Sequence, residues 1–384
     1  MSKKPQDGLA TLAIHAGEKT IERSVTQPIF QSSTYVFEEE TQYVDVKYGR
    51  LSNTPNHQTL AEKIAALEKM ESGLVAASGM AAITTTLLAC VEPEGHLLAQ
   101  DQLYGGTYYF LKDDFSKWNR KVSLFSVGES SNLERHFQSN TQAVYVETIS
   151  NPTLQIPDLE KVVEIAHRHG ALAIIDNTFA SPVNFNPVDL GFDLVIHSAT
   201  KYLNGHTDVL AGAVAGGSRL IEKIRKMICH LGPSLDPHAC FLLNRGLKTL
   251  VLRVQQHNIN AQRLAAGLQK IPRVKKVYYP GLEEHPNHLL AAKYFKGFGG
   301  MLSFDFDGAV NELEQSLKKL RLPFVAPSLG GVETLITRPS TTSHSGISAT
   351  ERSRLGIHDT LVRVSVGLED INDLLLDFEQ AFSV

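Results

Sequence analysis

A lysine placed directly behind a short apolar run is the feature of this chain that most needs a chemical explanation. Asp193-Leu-Val-Ile-His197 reads as a buried strand, and it gives way at once to Ser198, Thr200 and Lys201. Lysine is rarely buried unless it is paired. At the mouth of a sheet, with two hydroxyls beside it, its neutral amine could act as a nucleophile toward a carbonyl. The plainer reading is a surface lysine just past a strand end. Which reading holds depends on what other groups reach the same edge.

The elements that would position Lys201 follow from the hydropathy pattern. Thr54-Pro55 marks a helix start, with a capping hydroxyl before a proline at the first helical position, and Leu60, Ile64 and Leu67 then bury one face. Apolar runs recur at Leu74–Ser78, His96–Ala99, Val122–Val127, Ala143–Glu147, Leu172–Asp176, Leu194–His197 and Leu210–Ala215. Helix-like stretches separate several of them, the clearest running from a cap at Asp158 to a stop at Gly170. Strands apolar on both faces and spaced by helices predict an α/β fold on a largely parallel sheet covered on both sides. Beyond about residue 245 the pattern changes to one long helical stretch over Leu247–Gln269. Strand candidates follow at Val274–Tyr279, Gly300–Phe306 and Leu361–Val366, then a closing helix at Ile371–Phe382. The division predicted is an extended amino-terminal arm (1–53), a large α/β domain (54–245) and a smaller carboxy-terminal α/β domain (246–384).

In open parallel sheets ligands sit at the carboxyl ends of the strands. Gly79 and Met80 open a helix behind Ser78 and would offer N–H groups and a positive dipole end to an anion. Tyr104 follows another strand end and could wall a flat ring. Asp176 closes the most apolar strand, where a buried carboxylate needs a facing cation such as a protonated ring nitrogen. Asn151-Pro152 turns just after a further strand. A nucleophilic lysine, an acid for a ring nitrogen, an aromatic platform and an anion cradle together meet the needs of pyridoxal phosphate. Lys201 would hold its aldehyde as a Schiff base, Asp176 would keep the pyridine protonated, and hydroxyl and N–H groups would hold the phosphate.

Ser198-Ala-Thr-Lys201-Tyr, Asp176-Asn-Thr-Phe, Ser78-Gly79-Met80, Tyr104-Gly-Gly-Thr and Leu361-Val-Arg363-Val-Ser-Val-Gly-Leu-Glu-Asp resemble the pyridoxal-phosphate transsulfuration enzymes. These are the cystathionine γ-synthases, cystathionine γ- and β-lyases and methionine γ-lyases, and the likeness spans nearly the whole chain. The resemblance implies the transferase fold type I, similar to aspartate aminotransferase. It implies that Lys201 carries the cofactor and then moves protons from Cα to the leaving sulfur. Asp176 would pair with the pyridine nitrogen, while Tyr104 would stack on the ring and assist proton handling. Gly79, Met80, Ser198 and Thr200 would bind the phosphate, joined by Tyr48 and Arg50 from a neighbouring subunit of a homotetramer built as a pair of dimers. Arg363 would clamp the substrate carboxylate, helped by Asn151 and Ser328.

Some positions depart from the family pattern. The arm reads Asn53-Thr54-Pro55 where Asn-Pro-Thr is usual. Gly106 stands where methionine γ-lyases resemble one another in a cysteine, which argues against that activity. Pro327 stands where synthases and γ-lyases resemble one another in a glutamate, so reaction choice is not legible there. The expectation is a lyase that cleaves cystathionine by β- or γ-elimination, with γ-replacement by a cystathionine γ-synthase as the alternative.

Composition points away from other classes. A net charge of -4, with 20% charged and 42% hydrophobic residues over 384 positions, gives no sign of a nucleic-acid or membrane surface. No signal peptide opens the chain, so a cytoplasmic protein is expected. Cys90, Cys229 and Cys240 are too few and scattered for a disulfide framework or zinc site, and no metal is expected. Ser198-Ala-Thr-Lys201 also fits the S-x-x-K of serine acyl enzymes, but the accompanying S-D-N and K-T-G elements do not occur. A catalytically silent scaffold is opposed by the intact Lys201, Asp176 and Arg363.

Overall fold

Two sheets organise the chain in the computed structural model, which describes residues 7–36 and 46–382. The larger contains β1 (Ser72–Ala76), β2 (His96–Gln100), β3 (Lys121–Phe125), β4 (Thr141–Glu147), β5 (Leu172–Asp176), β6 (Leu194–His197) and β7 (Gly212–Gly216). Its order is β1-β7-β6-β5-β4-β2-β3, and β7 runs antiparallel to both of its neighbours while the other pairs are parallel. Alternation along these strands divides the core. Val144, Val146, Ile175 and Val195 face helix Leu159–Arg168 through Leu159, Val162 and Ala166. Tyr145, Ile174, Leu194 and Ile196 face the other way, toward helices Gly79–Cys90 and Ser218–Leu231. Burial on both faces is why these strands read as continuous apolar runs.

The smaller sheet contains β8 (Val274–Tyr278), β9 (Met301–Phe306), β10 (Phe324–Val325), β11 (Leu335–Thr337) and β12 (Leu361–Ser365), in the order β10-β11-β12-β9-β8. Leu302, Phe304, Val362 and Val364 pack on Leu264, Leu268, Phe378 and Phe382 from helices Leu250–Leu268 and Ile371–Phe382. The opposite face holds Ser303 and Arg363, which are register partners. Ser303 Oγ donates to the Pro152 carbonyl at 2.7 Å, so this face is turned toward the loop that follows β4.

The helical stretch expected over Leu247–Gln269 is helix Leu250–Leu268, and a separate helix, Pro237–Leu247, precedes it across the turn at Lys248-Thr249. Two local expectations need correction. The arm over 1–53 is not extended throughout: Leu9–His15 is helical, and Ala13 is buried in the main core. Residues 1–6 and 37–45 of that arm lie outside the described residues. Thr54 precedes helix Pro55–Leu67 as expected but makes no side-chain cap; its hydroxyl pairs with His57 Nδ1 at 2.7 Å instead. Asp158 does cap its helix, accepting from the Lys161 N–H at 3.2 Å. No helix among the described residues is long and apolar enough to cross a membrane.

Candidate active site

Lys201 lies in the turn after β6, and its Nζ donates to Ser328 Oγ at 2.7 Å. Ser328 comes from the loop between β10 and β11, so the contact joins the two sheets' halves of the molecule. Burial, with the charge of Arg363 second, pushes the Lys201 amine from 10.5 down to about 8. Arg363 sits mid-strand in β12 and is buried. It donates from Nη1 to Asn151 Oδ1 at 3.1 Å and from Nη2 to the Ser328 carbonyl at 3.1 Å. Lys201, Ser328, Arg363 and Asn151 are thereby one connected group, gathered from positions far apart in sequence.

A second group lies at the ends of β4 and β5. Asp176 is buried and accepts from the Thr178 N–H at 2.9 Å, while Thr178 Oγ1 accepts from the Ser198 N–H at 2.8 Å. That bridge fixes the Asp176 turn against the turn that carries Ser198 and Lys201. Glu147 ends β4 opposite Asp176 and accepts from the Tyr104 N–H at 2.6 Å. Burial raises both carboxyl groups above their usual range; the Asp176 charge raises Glu147 further, whereas Thr178 and the charge of His197 work to keep Asp176 ionised. A buried acid in this state is suited to a cationic ligand. Tyr104 remains 45% exposed, which leaves its ring available to a ligand.

The third group is an anion cradle. Ser78 Oγ caps helix Gly79–Cys90 by accepting from the Ala81 N–H at 3.0 Å, and the Ala82 N–H closes on the Ser78 carbonyl. The Gly79 and Met80 N–H groups have no partner among the described residues and stand at the helix tip. A Cβ on Gly79 would come within 2.7 Å of Ser198 Cβ and Oγ, so glycine is what lets this tip meet the Ser198 turn. Thr200 Oγ1 is shared with the backbone of Ala211, accepting from its N–H at 3.0 Å and reaching its carbonyl at 3.2 Å.

Sequence reasoning had no signal for several neighbours of these groups. Glu147, Thr178 and Tyr145 were strand-end or core residues by pattern, and only the fold brings them to Asp176. At Gly106 a Cβ would meet the Tyr104 ring at 2.7 Å and Met80 Sδ at 2.9 Å, so any side chain there must displace one of them. Tyr48 and Arg50 lie elsewhere: Arg50 Nη1 donates to the Cys229 carbonyl at 2.9 Å, and its guanidinium lies 5.7 Å from the Tyr48 ring centre. Asn53 pins this turn, accepting from the Tyr48 N–H at 3.0 Å and donating to the Val46 carbonyl at 2.8 Å. Among the described residues there is no group of three or more His, Cys, Asp or Glu that could hold a metal ion.

A buried amine, a buried carboxylate, an exposed aromatic face and a free helix tip within one set of strand ends fit pyridoxal phosphate by donor type. Comparison with known proteins bears on the same point. A family model described as Cys/Met metabolism PLP-dependent enzyme matches residues 10–383. Cystathionine gamma-synthase 1, chloroplastic, of Nicotiana tabacum is 41% identical, over 97% of this chain and 71% of the relative. Cystathionine beta-lyase of Coxiella burnetii (strain RSA 493 / Nine Mile phase I) is 41% identical over 97% of both chains. The crystal structure of cystathionine gamma synthase from Xanthomonas oryzae pv. oryzae in complex with aminoacrylate and cysteine superposes with a TM-score of 0.94, at 38% identity and 98% coverage of both chains. With a family match over nearly its whole length and strand-end chemistry that suits the cofactor, the chain belongs to the Cys/Met metabolism PLP-dependent enzyme family.

Proposed function

We propose that this enzyme cleaves cystathionine, or a closely related thioether amino acid, as a pyridoxal-phosphate-dependent carbon–sulfur lyase. The observation that carries the reading is the Lys201–Ser328–Arg363–Asn151 group, which sets an amine with its pKa lowered to about 8 beside a buried guanidinium. Arg363 commits two N–H groups to protein acceptors and can present others to a substrate carboxylate in the fork geometry that carboxylates prefer. Lys201 would hold the cofactor aldehyde, Asp176 the ring nitrogen, Tyr104 one ring face, and Gly79, Met80, Ser198 and Thr200 the phosphate. The chemistry supplied by the bound cofactor is that of an electron sink for the pair released at Cα.

The protein's own part is proton movement. With the substrate bound, the Lys201 amine would take the proton from Cα and deliver one to the departing sulfur as the C–S bond breaks. In β-elimination that single transfer suffices, and the released enamine hydrolyses to pyruvate and ammonia. Elimination at Cγ needs a second proton removed, at Cβ, which the same amine can take. Likeness to two cystathionine γ-synthases favours γ-replacement as the second reading.

The arm fits an assembly role. Tyr48 is 39% exposed and Val25 and Val36 almost wholly so, apolar surface that a neighbouring subunit would cover in this reading. In this reading Tyr48 and Arg50 reach a neighbouring subunit's phosphate in a homotetramer made of two dimers, in the cytoplasm. The division at residues 54–245 and 246–384 places Lys201 in one part and Arg363 in the other. Product analysis tests the reaction: purified protein given cystathionine should release pyruvate or 2-oxobutyrate. Release of neither, with joining of cysteine to an acylated homoserine, would replace the lyase by the synthase.

A further inference from the structure

Behind the sheet face that bears Asp176 lies a buried carboxylate with no part in the chemistry above. Glu68, at the end of helix Pro55–Leu67, is 1% exposed, as is the His197 side chain that it meets. Glu68 Oε1 accepts from His197 Nε2 at 2.6 Å and from Asn177 Nδ2 at 3.1 Å; Asn186 Nδ2 lies 3.5 Å from Oε2. Asn177 follows Asp176 directly, and His197 directly precedes Ser198.

Strand register explains the arrangement. Asp176 pairs with Ile196 between parallel β5 and β6, so those two share one face, and the next residue on each strand, Asn177 and His197, turns to the other. Glu68 therefore grips the reverse side of the two strand ends whose front side carries Asp176 and whose continuation carries Lys201. Asn177 extends the grip: its Oδ1 accepts from Thr148 Oγ1 at 2.9 Å, and that hydroxyl also lies 3.0 Å from the Asp176 carbonyl.

A carboxylate this deeply buried needs a compensating charge. Its amide partners are neutral, and the imidazole is the group in contact that can be cationic. An ionised carboxylate only accepts hydrogen bonds, so His197 Nε2 must be the donor. His197 sits across the sheet from Asp176, while Glu147 and Tyr145 face Asp176 from β4 and Thr178 caps it. Burial opposes ionisation of Asp176, and a positive charge on His197 works against that burial.

We propose that Glu68 holds His197 as a buried cation, and that the two form a positioning pair that keeps Asp176 a carboxylate for the cofactor ring, touching neither cofactor nor substrate. The proposal rests on the cofactor and on Asp176 as its ring partner, and is independent of which thioether is cleaved. Removing the cation should raise the Asp176 pKa, so the carboxylate is lost at a higher pH as the solution is acidified. The acid limb of cofactor affinity then moves upward.

The test is titration of pyridoxal phosphate into the apo forms of the parent, Glu68→Gln, His197→Gln and the double variant, from about pH 5 to about pH 9. Bound cofactor is read from visible absorbance and folding from circular dichroism. The acid limb should shift up by roughly one pH unit in each single variant, with affinity near its foot reduced about tenfold and affinity above the limb within about twofold of the parent. Because Glu68 acts through His197, the double variant should match the singles. A uniform loss at every pH with an unmoved limb would assign the pair to packing alone and overturn the proposal, as would unchanged affinity. Should the variants fail to fold, nitrogen NMR of the parent decides: a doubly protonated His197 ring at neutral pH supports the pair, and a neutral ring refutes it.

Discussion

Ser328 serves Lys201 and Arg363 at once: its hydroxyl accepts from Lys201 Nζ at 2.7 Å while its carbonyl accepts from Arg363 Nη2 at 3.1 Å. Its backbone is held at φ 89°, a left-handed conformation that few serines adopt. One residue in an unfavourable conformation thus aligns the Lys201 amine with the Arg363 guanidinium, and strain of this kind is tolerated where function needs it. Replacing the hydroxyl, as in Ser328→Ala, removes the amine's acceptor and leaves the carbonyl in place. Turnover should fall about tenfold to a hundredfold, with KM changed much less, because the bond lost involves a charged donor. Steady-state kinetics on cystathionine would show this; an equal rise in KM with kcat unchanged would move Ser328 to substrate binding.

Arg363 is buried, and burial lowers its pKa to about 10 without removing its charge at neutral pH. Arg363→Lys keeps a cation but loses the fork that reaches Asn151, Ser328 and a carboxylate together. The expected result is a KM increase of about ten- to a hundredfold, measured against a substrate series with and without the α-carboxylate. Substrates lacking that carboxylate should be affected far less.

The depressed Lys201 pKa has a pH consequence of definite sign. With a pKa of about 8 rather than 10.5, roughly a quarter of the amine is neutral at about pH 7.5, against ~0.1% for an ordinary lysine. Attachment of pyridoxal phosphate to the apoenzyme should therefore accelerate with pH and level off above about 8. Stopped-flow absorbance measures it, and a midpoint near 10 would show that Lys201 is not desolvated as described.

Lys63 is fully buried and donates to Glu18 Oε1 at 3.0 Å, with Lys248 and Asn244 on the same carboxylate. This ties the amino-terminal arm to helices Pro55–Leu67 and Pro237–Leu247. Lys63→Met should cost about 3 kcal/mol, since it leaves Glu18 with less of its charge compensated. Thermal unfolding reads the stability.

Much of this was legible from the chain because burial on both sheet faces imprints strand-length apolar runs, and the residues at their ends stand out as polar breaks. Lys201, Asp176 and Tyr104 stand out that way as candidates. Arg363 and Ser328 do not, since neither ends a strong apolar run; resemblance named them, and only the packing of β12 and the β10–β11 loop explains how they meet Lys201. Glu68 and His197 left no sequence signal at all. A glutamate at a helix end and a histidine closing a strand are ordinary until the fold stacks one beneath the other.

Lys201 is the residue proposed to carry the cofactor. Borohydride reduction of the holoenzyme, followed by proteolysis and mass spectrometry, tests this directly. A pyridoxyl phosphate adduct should appear on the peptide containing Lys201 and on no other, and Lys201→Ala should yield none. An adduct on a different lysine in the parent, or undiminished cystathionine cleavage by Lys201→Ala, would contradict it.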